Sequence, residues 1–170
     1  MLIGIISDTH DNAAKLLKAI KFFNRKKVKL VFHLGDWVAA SMPIFCQGLK
    51  CRMISLFGNN PGDIFLMQAW RAEKKWNIDF YNTTYKTEID DKKIIIYHGD
   101  SRDLTAALLG CQKYDAVFTG HTHIAKNEMV GKTLHVNPGT LATWSKGKLN
   151  KKHSISIYNT KTNQAKIISL

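Results

Sequence analysis

Seven side chains able to bind a metal cation stand in five short segments of this 170-residue chain. The segments are Ser7-Asp8-Thr9-His10, Gly35-Asp36, Gly58-Asn59-Asn60, His98-Gly99 and Gly120-His121-Thr122-His123. The donors are two carboxylates (Asp8, Asp36), one amide (Asn59) and four imidazoles (His10, His98, His121, His123). A mixed oxygen and nitrogen set suits manganese, iron, nickel, cobalt or zinc better than magnesium alone. Nearly every segment follows an apolar run: Leu2–Ile6, Leu30–Leu34, Met53–Phe57, Ile94–Tyr97 and Ala116–Thr119. A buried strand ending in a glycine-loosened turn aims its last side chains at one point. Five such strands would gather all seven donors in one crevice, a set that matches two divalent cations. Taken singly the segments say little, since Gly-Asp and Gly-Asn are common turn pairs. Gly120-His121-Thr122-His123 says most, because two imidazoles two residues apart after a buried strand need a partner.

The elements that must carry these segments alternate at first between strand and helix. After Leu2–Ile6, Asn12 can cap a helix with Ala13, Leu16, Leu17, Ile20 and Phe23 on one face. A second strand ends at Asp36, a short helix spans Met42 to Gly48, and a third strand ends at Phe57. Pro61 suits the first turn of a helix running to Trp76, with Asp63 near its positive end. Beyond Asn77 strands dominate. Phe80–Glu88 and Lys92–Tyr97 pair across Asp90-Asp91, and Leu104, Ala107, Leu108 and Cys111 then share a helical face. Strands follow at 115–119, 127–130 and 133–136, and the tail adds Ser154–Tyr158 and Ala165–Ser169. Two sheets packed face to face with helices outside would cover all these apolar faces.

By length the chain reads as one domain, residues 1–170, able to bury a core. Hydrophobic content of 45% and charged content of 22% fit a soluble globular protein rather than a membrane or disordered one. No apolar stretch approaches the ~20 residues that cross a bilayer, so no membrane partner is expected. Asp8 and His10 interrupt the apolar start, which does not read as a secretory leader. Cys46, Cys51 and Cys111 are odd in number, which argues against a disulfide framework and for a reducing cytoplasm. The net charge of +12 would attract polyanions, so nucleic acid is a partner to weigh. Yet 21 of the 25 basic residues are lysines, scattered along the chain with clusters at 25–29 and 146–152. Arginine, the better reader of bases and phosphates, is scarce, and the pattern reads as a generally basic surface.

In their order, D-x-H, G-D, G-N, H-G and G-H-T-H resemble the signature of the calcineurin-like metallophosphoesterase superfamily. With the short length and Asn137-Pro138-Gly139-Thr140, the chain is similar to that group's small, single-domain phosphodiesterases of bacteria and archaea. The resemblance spans essentially the whole chain. It implies an α/β fold, a four-layer α/β/β/α sandwich of two mixed β-sheets flanked by helices. It implies two divalent metal ions, manganese foremost, with nickel, iron, cobalt or zinc as substitutes. One ion would be held by Asp8, His10, Asp36 and His123, the other by Asp36, Asn59, His98 and His121, with Asp36 bridging. A carboxylate bridge holds two cations about 3.5–4 Å apart, a spacing suited to in-line displacement at phosphorus. The implied reaction is hydrolysis of a small phosphodiester by a hydroxide shared between the metals, without a covalent phospho-enzyme.

The chain departs from the pattern at two places. Relatives often carry His after Gly-Asn, where it can protonate the leaving oxygen. Here Asn60 stands, able to hydrogen-bond a substrate but not to act as a general acid. After His98-Gly99 relatives often carry His, and here Asp100 would orient an imidazole or cap the next helix. His33 reads as a core histidine, His135 as structural and His153 as exposed. Two other functions fit the same fold: a non-catalytic protein-interaction scaffold, or a nuclease or nucleotide-processing enzyme drawn by the positive surface. The sequence leaves the oligomeric state open, a homodimer being one arrangement to weigh, and residues near 60–65, 101–104 and 140–144 would wall the crevice.

Overall fold

The computed structural model describes residues 1–145 and 147–170. In chain order the elements are β1 (Leu2–Ile6), α1 (Ala13–Lys26), β2 (Leu30–His33), β3 (Arg52–Leu56), α2 (Ile64–Glu73), β4 (Ile78–Tyr81), β5 (Thr84–Ile89), β6 (Lys92–Tyr97), α3 (Arg102–Gly110), β7 (Ala116–Phe118), β8 (Lys126–Val130), β9 (Thr133–Asn137), β10 (Trp144–Ser145), β11 (Lys148–Leu149), β12 (Ser154–Asn159) and β13 (Gln164–Ser169). Six strands form one sheet in the order β13-β12-β1-β2-β3-β4, and five form another in the order β5-β6-β7-β9-β8. Strands β1 to β4 run parallel, as do β6, β7 and β9, while β12 and β13 in the first sheet and β5 and β8 in the second pair antiparallel.

The period-two alternation of side chains builds the layers. From β1, Ile3 and Ile5 face the second sheet and share a core with Phe32, Ile54, Ile96, Phe118 and Tyr158. Ile6 turns the other way, toward Leu16, Ile20 and Phe23 of α1 and Met67 of α2. Helices α1 and α2 cover the first sheet and α3 lies against the second. The result is the four-layer α/β/β/α sandwich, with the strand ends clamped between two dry cores.

The local details depart from expectation in instructive ways. In α1 the cap is as read, Asn12 Oδ1 accepting from Lys15 N at 3.1 Å, but the buried face takes Ala19 and leaves Leu17 exposed. Residues Met42–Cys46 form a 3₁₀ turn rather than an α-helix, with Pro43 at its start. Helix α2 begins only at Ile64, because Asp63 Oδ1 accepts from Leu66 N at 2.9 Å and so caps it; Pro61 precedes the helix, which ends at Glu73 rather than Trp76. The run Phe80–Glu88 is not one strand. It divides at Asn82-Thr83, β4 pairing with β3 in the first sheet and β5 with β6 in the second. The alternation continues through the crossing and hides it. At α3 the cap is Ser101, whose Oγ accepts from Leu104 N at 3.2 Å, not Asp100. Tyr97 Oη accepts from Ser101 N at 2.8 Å, which fixes the rotation of the helix. Of the face read from sequence, Leu104, Ala107 and Cys111 are exposed and Leu108 is half-buried. The hairpin of β10 and β11 has no counterpart in the sequence pattern. Lys146, within the basic 146–152 cluster, lies outside the described residues, and among those described no helix is long and apolar enough to cross a membrane.

Gly4 shows how tightly β1 is seated. A Cβ there would lie 2.7 Å from Cε1 of Phe23, which is fully buried. Gly4→Ala should therefore destabilise the fold by about 1–3 kcal/mol through overpacking, read as a lower urea midpoint at unchanged slope. An unchanged midpoint would show that Phe23 yields freely.

Candidate metal centre

Five of the seven candidate donors sit at positive φ: Asp8 (52°), His10 (39°), Asp36 (63°), His121 (61°) and His123 (60°). Such backbone is uncommon outside glycine, although Asp and His tolerate it best. Its concentration at one place marks a site whose geometry is imposed by its surroundings. The loops impose it on one another. Asp8 N donates to Gly35 O at 3.0 Å, Thr9 N to Asp36 O at 3.0 Å, Asp36 N to Phe57 O at 2.9 Å and Gly120 N to His98 O at 2.7 Å. Gly58 is required at this crossing, since its φ is +79° and a Cβ would stand 2.4 Å from Asp36 Oδ1.

The seven side chains meet in two adjoining groups. Asp8, His10 and His123 present one donor atom each, all within 4.8 Å of one another, and so do Asp36, His98 and His121. Asp8 Oδ1 is 3.3 Å from His123 Nε2 and 3.9 Å from His10 Nε2. Asp36 joins the groups, with Oδ2 3.3 Å from His10 Nε2 and Oδ1 3.3 Å from His98 Nε2. Asn59 Oδ1 lies 2.8 Å from both His98 Nε2 and His121 Nδ1. All seven residues expected from sequence therefore converge.

Further groups hold these donors in place. Leu34 O, which can only accept, is 2.8 Å from His98 Nδ1; the hydrogen sits there and leaves Nε2 facing the cluster. Ser145 Oγ, from the unforeseen hairpin, is 2.9 Å from His123 Nδ1 and holds the orientation of that ring. Asp8 Oδ2 accepts from His121 N at 3.0 Å. Asn60 donates twice to Asp36, from N to Oδ1 at 2.8 Å and from Nδ2 to Oδ2 at 3.0 Å. Asn137 Nδ2 donates to Gly120 O at 2.7 Å and Thr140 Oγ1 to Asp8 O at 2.9 Å, so the Asn137–Thr140 segment braces two ligand loops. No sequence signal singles out Ser145. His33 is a core histidine, stacked 3.6 Å from Trp37 with Nε2 2.6 Å from Thr9 Oγ1, and burial pushes it down to about 3. His153, expected exposed, is half-buried.

The electrostatics show what the cluster wants. Burial pushes Asp8 up, but His10 and His123 outweigh it and bring the carboxyl down to about 2. Asp36 is likewise held well below the usual range by His10 and His98 against the effect of burial. The Asp36 and Asp8 carboxylates raise His10 to about 9. Buried Asp8 Oδ1 and His10 Nε2 have no hydrogen-bond partner. Buried polar atoms are nearly always satisfied, so these two mark a place between carboxylate and imidazole for a bound group. The donor set, its spacing and its two orphaned atoms fit divalent metal ions.

The calcineurin-like phosphoesterase superfamily domain matches residues 1–163. The chain belongs to that superfamily. It is 37% identical over 142 residues to a phosphodiesterase of Methanocaldococcus jannaschii, spanning 82% of this chain and 83% of the relative. The structure of an archaeal phosphodiesterase superposes with a TM-score of 0.89 at 32% identity, covering 100% of both chains. The Vps29 protein of Entamoeba histolytica, solved with zinc, superposes with a TM-score of 0.68, covering 100% of this chain and 98% of its own. Its identity is 18%, so that likeness concerns the fold alone. This member of the superfamily is a metal-dependent hydrolase of phosphoric esters.

Ligation needs neutral imidazoles, whereas His10 without metal holds its proton up to about pH 9. In the metal-free chain the His10 charge supports the fold fully below about 6.5, and that support is lost as pH rises through about 9. Metal loading has the opposite sign. Calorimetric titration with Mn²⁺ in buffers of different ionisation enthalpy should show proton release at pH 7 and an affinity rising up to about tenfold per pH unit from 6.5 to 9. Binding without proton release would contradict the charged His10.

Proposed function

We propose that the chain is a phosphodiesterase whose two divalent ions, manganese foremost, are held as the two groups suggest. Asp8, His10, Asp36 and His123 would take one ion; Asp36, Asn59, His98 and His121 would take the other, with Asp36 bridging. The observation that carries this reading is the convergence of seven donors, with Asp36 within 3.3 Å of an imidazole from each group. Both sheets contribute ligands, which supports reading residues 1–170 as one functional domain. Such a pair of ions supplies Lewis acidity toward a phosphoryl group and lowers the pKa of water.

The side chains themselves define the rest. Asn59 and the imidazoles ligate without cancelling charge, so the site keeps the positive balance that an anionic diester needs. Ser7 and Thr9, the hydroxyls beside Asp8 in sequence, are fully buried, and Thr9 is bonded to His33. Neither is free to attack phosphorus, which supports direct transfer to water. Asn60 offers no acid proton, so protonation of the leaving oxygen falls to solvent.

Two competing readings are weakened. A scaffold would have no use for seven convergent donors with oriented imidazoles. A nuclease would need its positive surface beside the cluster, yet the lysine-rich groove lies elsewhere. Lys86, Lys93, Lys113 and Lys132 line a cavity of about 760 Å³. Lys93 and Lys132 stand at the opposite ends of β6 and β9 from His98 and Asn137. A small diester suits the centre better than a polymer. The free thiols Cys46, Cys51 and Cys111 favour a reducing cytoplasm.

With Mn²⁺ added, the protein should hydrolyse bis(p-nitrophenyl) phosphate, and chelation should remove the activity. Asp36→Asn should lower kcat/KM by more than about a hundredfold, beyond what loss of an outer hydrogen bond does. A fully active Asp36→Asn enzyme would overturn the bridging assignment.

A further inference from the structure

His33 ends β2 inside an apolar run and is fully buried, yet both of its ring nitrogens are engaged. Gly35 N donates to Nδ1 at 3.1 Å. A backbone N–H can only donate, so Nδ1 carries a lone pair. Burial keeps the ring neutral, so its hydrogen sits on Nε2 and is given to Thr9 Oγ1 at 2.6 Å. His98 holds the opposite tautomer, with its hydrogen on Nδ1. One face of the His33 ring stacks on Trp37, with centroids 3.6 Å apart and planes 10° from parallel. Trp37 is itself fixed, its Nε1 donating to Ser55 Oγ at 2.9 Å.

The three residues that touch this ring are all neighbours of candidate ligands. Thr9 stands between Asp8 and His10, and Gly35 and Trp37 flank Asp36. The same loops are tied again through the backbone, Asp8 N donating to Gly35 O and Thr9 N to Asp36 O, both at 3.0 Å. One imidazole therefore clasps the loop after β1 with one nitrogen and the loop after β2 with the other. It braces both sides of Asp36, whose left-handed backbone (φ 63°) needs support from outside. Packing alone asks only for a flat apolar ring against Trp37. Such a ring would leave the buried Gly35 N–H unanswered and the Thr9 hydroxyl without its donor. We propose that His33 is a positioning residue for the metal centre, its Nε2–H tautomer setting the separation of Asp8 and His10 from Asp36. The proposal rests on the metal-binding part of the reading above and not on which ester is hydrolysed. Residues that orient ligands without touching the ion commonly change metal affinity ten- to a hundredfold when replaced.

Thr9→Val keeps the shape of the side chain and removes the hydroxyl that His33 holds, whereas Thr9→Ser keeps the hydroxyl. His33→Phe keeps the flat ring and removes both nitrogens. Calorimetric titration should show the Mn²⁺ dissociation constant rising about tenfold or more in Thr9→Val and His33→Phe, and staying within about twofold of wild type in Thr9→Ser. Nitrogen-15 imidazole spectra of the metal-free wild type at pH 7 should place the His33 hydrogen on Nε2 alone. A Thr9→Val protein that melts lower yet binds Mn²⁺ as tightly as wild type would reduce His33 to packing and overturn the proposal. A hydrogen on Nδ1, or a Thr9→Ser protein as weak as Thr9→Val, would overturn it too. Should His33→Phe not fold, the Thr9 pair decides. A wild type that binds Mn²⁺ but leaves phosphodiesters intact would tell against the phosphodiesterase reading instead, and the affinity comparison would still decide the role of His33.

Discussion

Two buried carboxylates, Asp8 and Asp36, set the terms on which the rest of the molecule is built. An ionised carboxylate taken out of water is costly unless positive charge or hydrogen bonds meet it. Here both are met from several directions. Asp8 receives the His121 backbone N–H and Asp36 receives two donors from Asn60, while imidazoles close the remaining approaches. Protons and metal ions compete for the same cage. Without metal, protonated imidazoles such as His10 supply the countercharge; with metal, the ions do. The loops that carry the cage are held by their own backbone hydrogen bonds, the preorganisation on which electrostatic catalysis draws.

The cage also depends on the packing of two sheets. Asp8, Asp36 and Asn59 leave strands of the first sheet, whereas His98, His121 and His123 leave strands of the second. The distance from the carboxylates to these three imidazoles is therefore set by the core between the sheets, where Ile5, Phe32, Phe118 and Tyr158 meet. Facing sheets stack about 10 Å apart, so only side chains at the converging strand ends can close the gap. The His121 N–H given to Asp8 Oδ2 ties the two sets of loops together, and the backbone bonds from Asp8 to Gly35 and from Gly120 to His98 brace each set within its own sheet. They hold five residues in left-handed backbone that none would choose alone.

Much of this was legible because it is written in local rules. Apolar runs of strand length, each ending in a polar turn, announced β1, β2, β3, β6 and β7 and the candidate donor behind each one. Asn12 was readable as a cap by its place before a helical stripe. The illegible parts are those decided by contacts distant in sequence. The passage between sheets at Asn82-Thr83 preserves the alternation on either side, so no residue type marks it. The rotation of α3 is set by Ser101 and Tyr97 rather than by its own apolar stripe, of which the fold leaves Leu104, Ala107 and Cys111 exposed. Ser145 is one serine among several until the hairpin carries it to His123.

Asn60 joins these two levels. Sequence shows a residue that cannot donate a proton where relatives often carry one that can, and read alone this is a loss. The structure shows that Asn60 places two hydrogen bonds on Asp36, one to each oxygen, and so fixes the carboxylate in the plane needed to face both groups of ligands. An imidazole at this position carries a single side-chain N–H when neutral, and using it on Asp36 would remove it from acid catalysis. Asparagine gives up the acid and fixes Asp36 between the two groups of donors. That exchange suits esters whose leaving group departs without a proton, and under the proposed reaction it moves the burden of catalysis onto the charge that the cage concentrates rather than onto proton transfer.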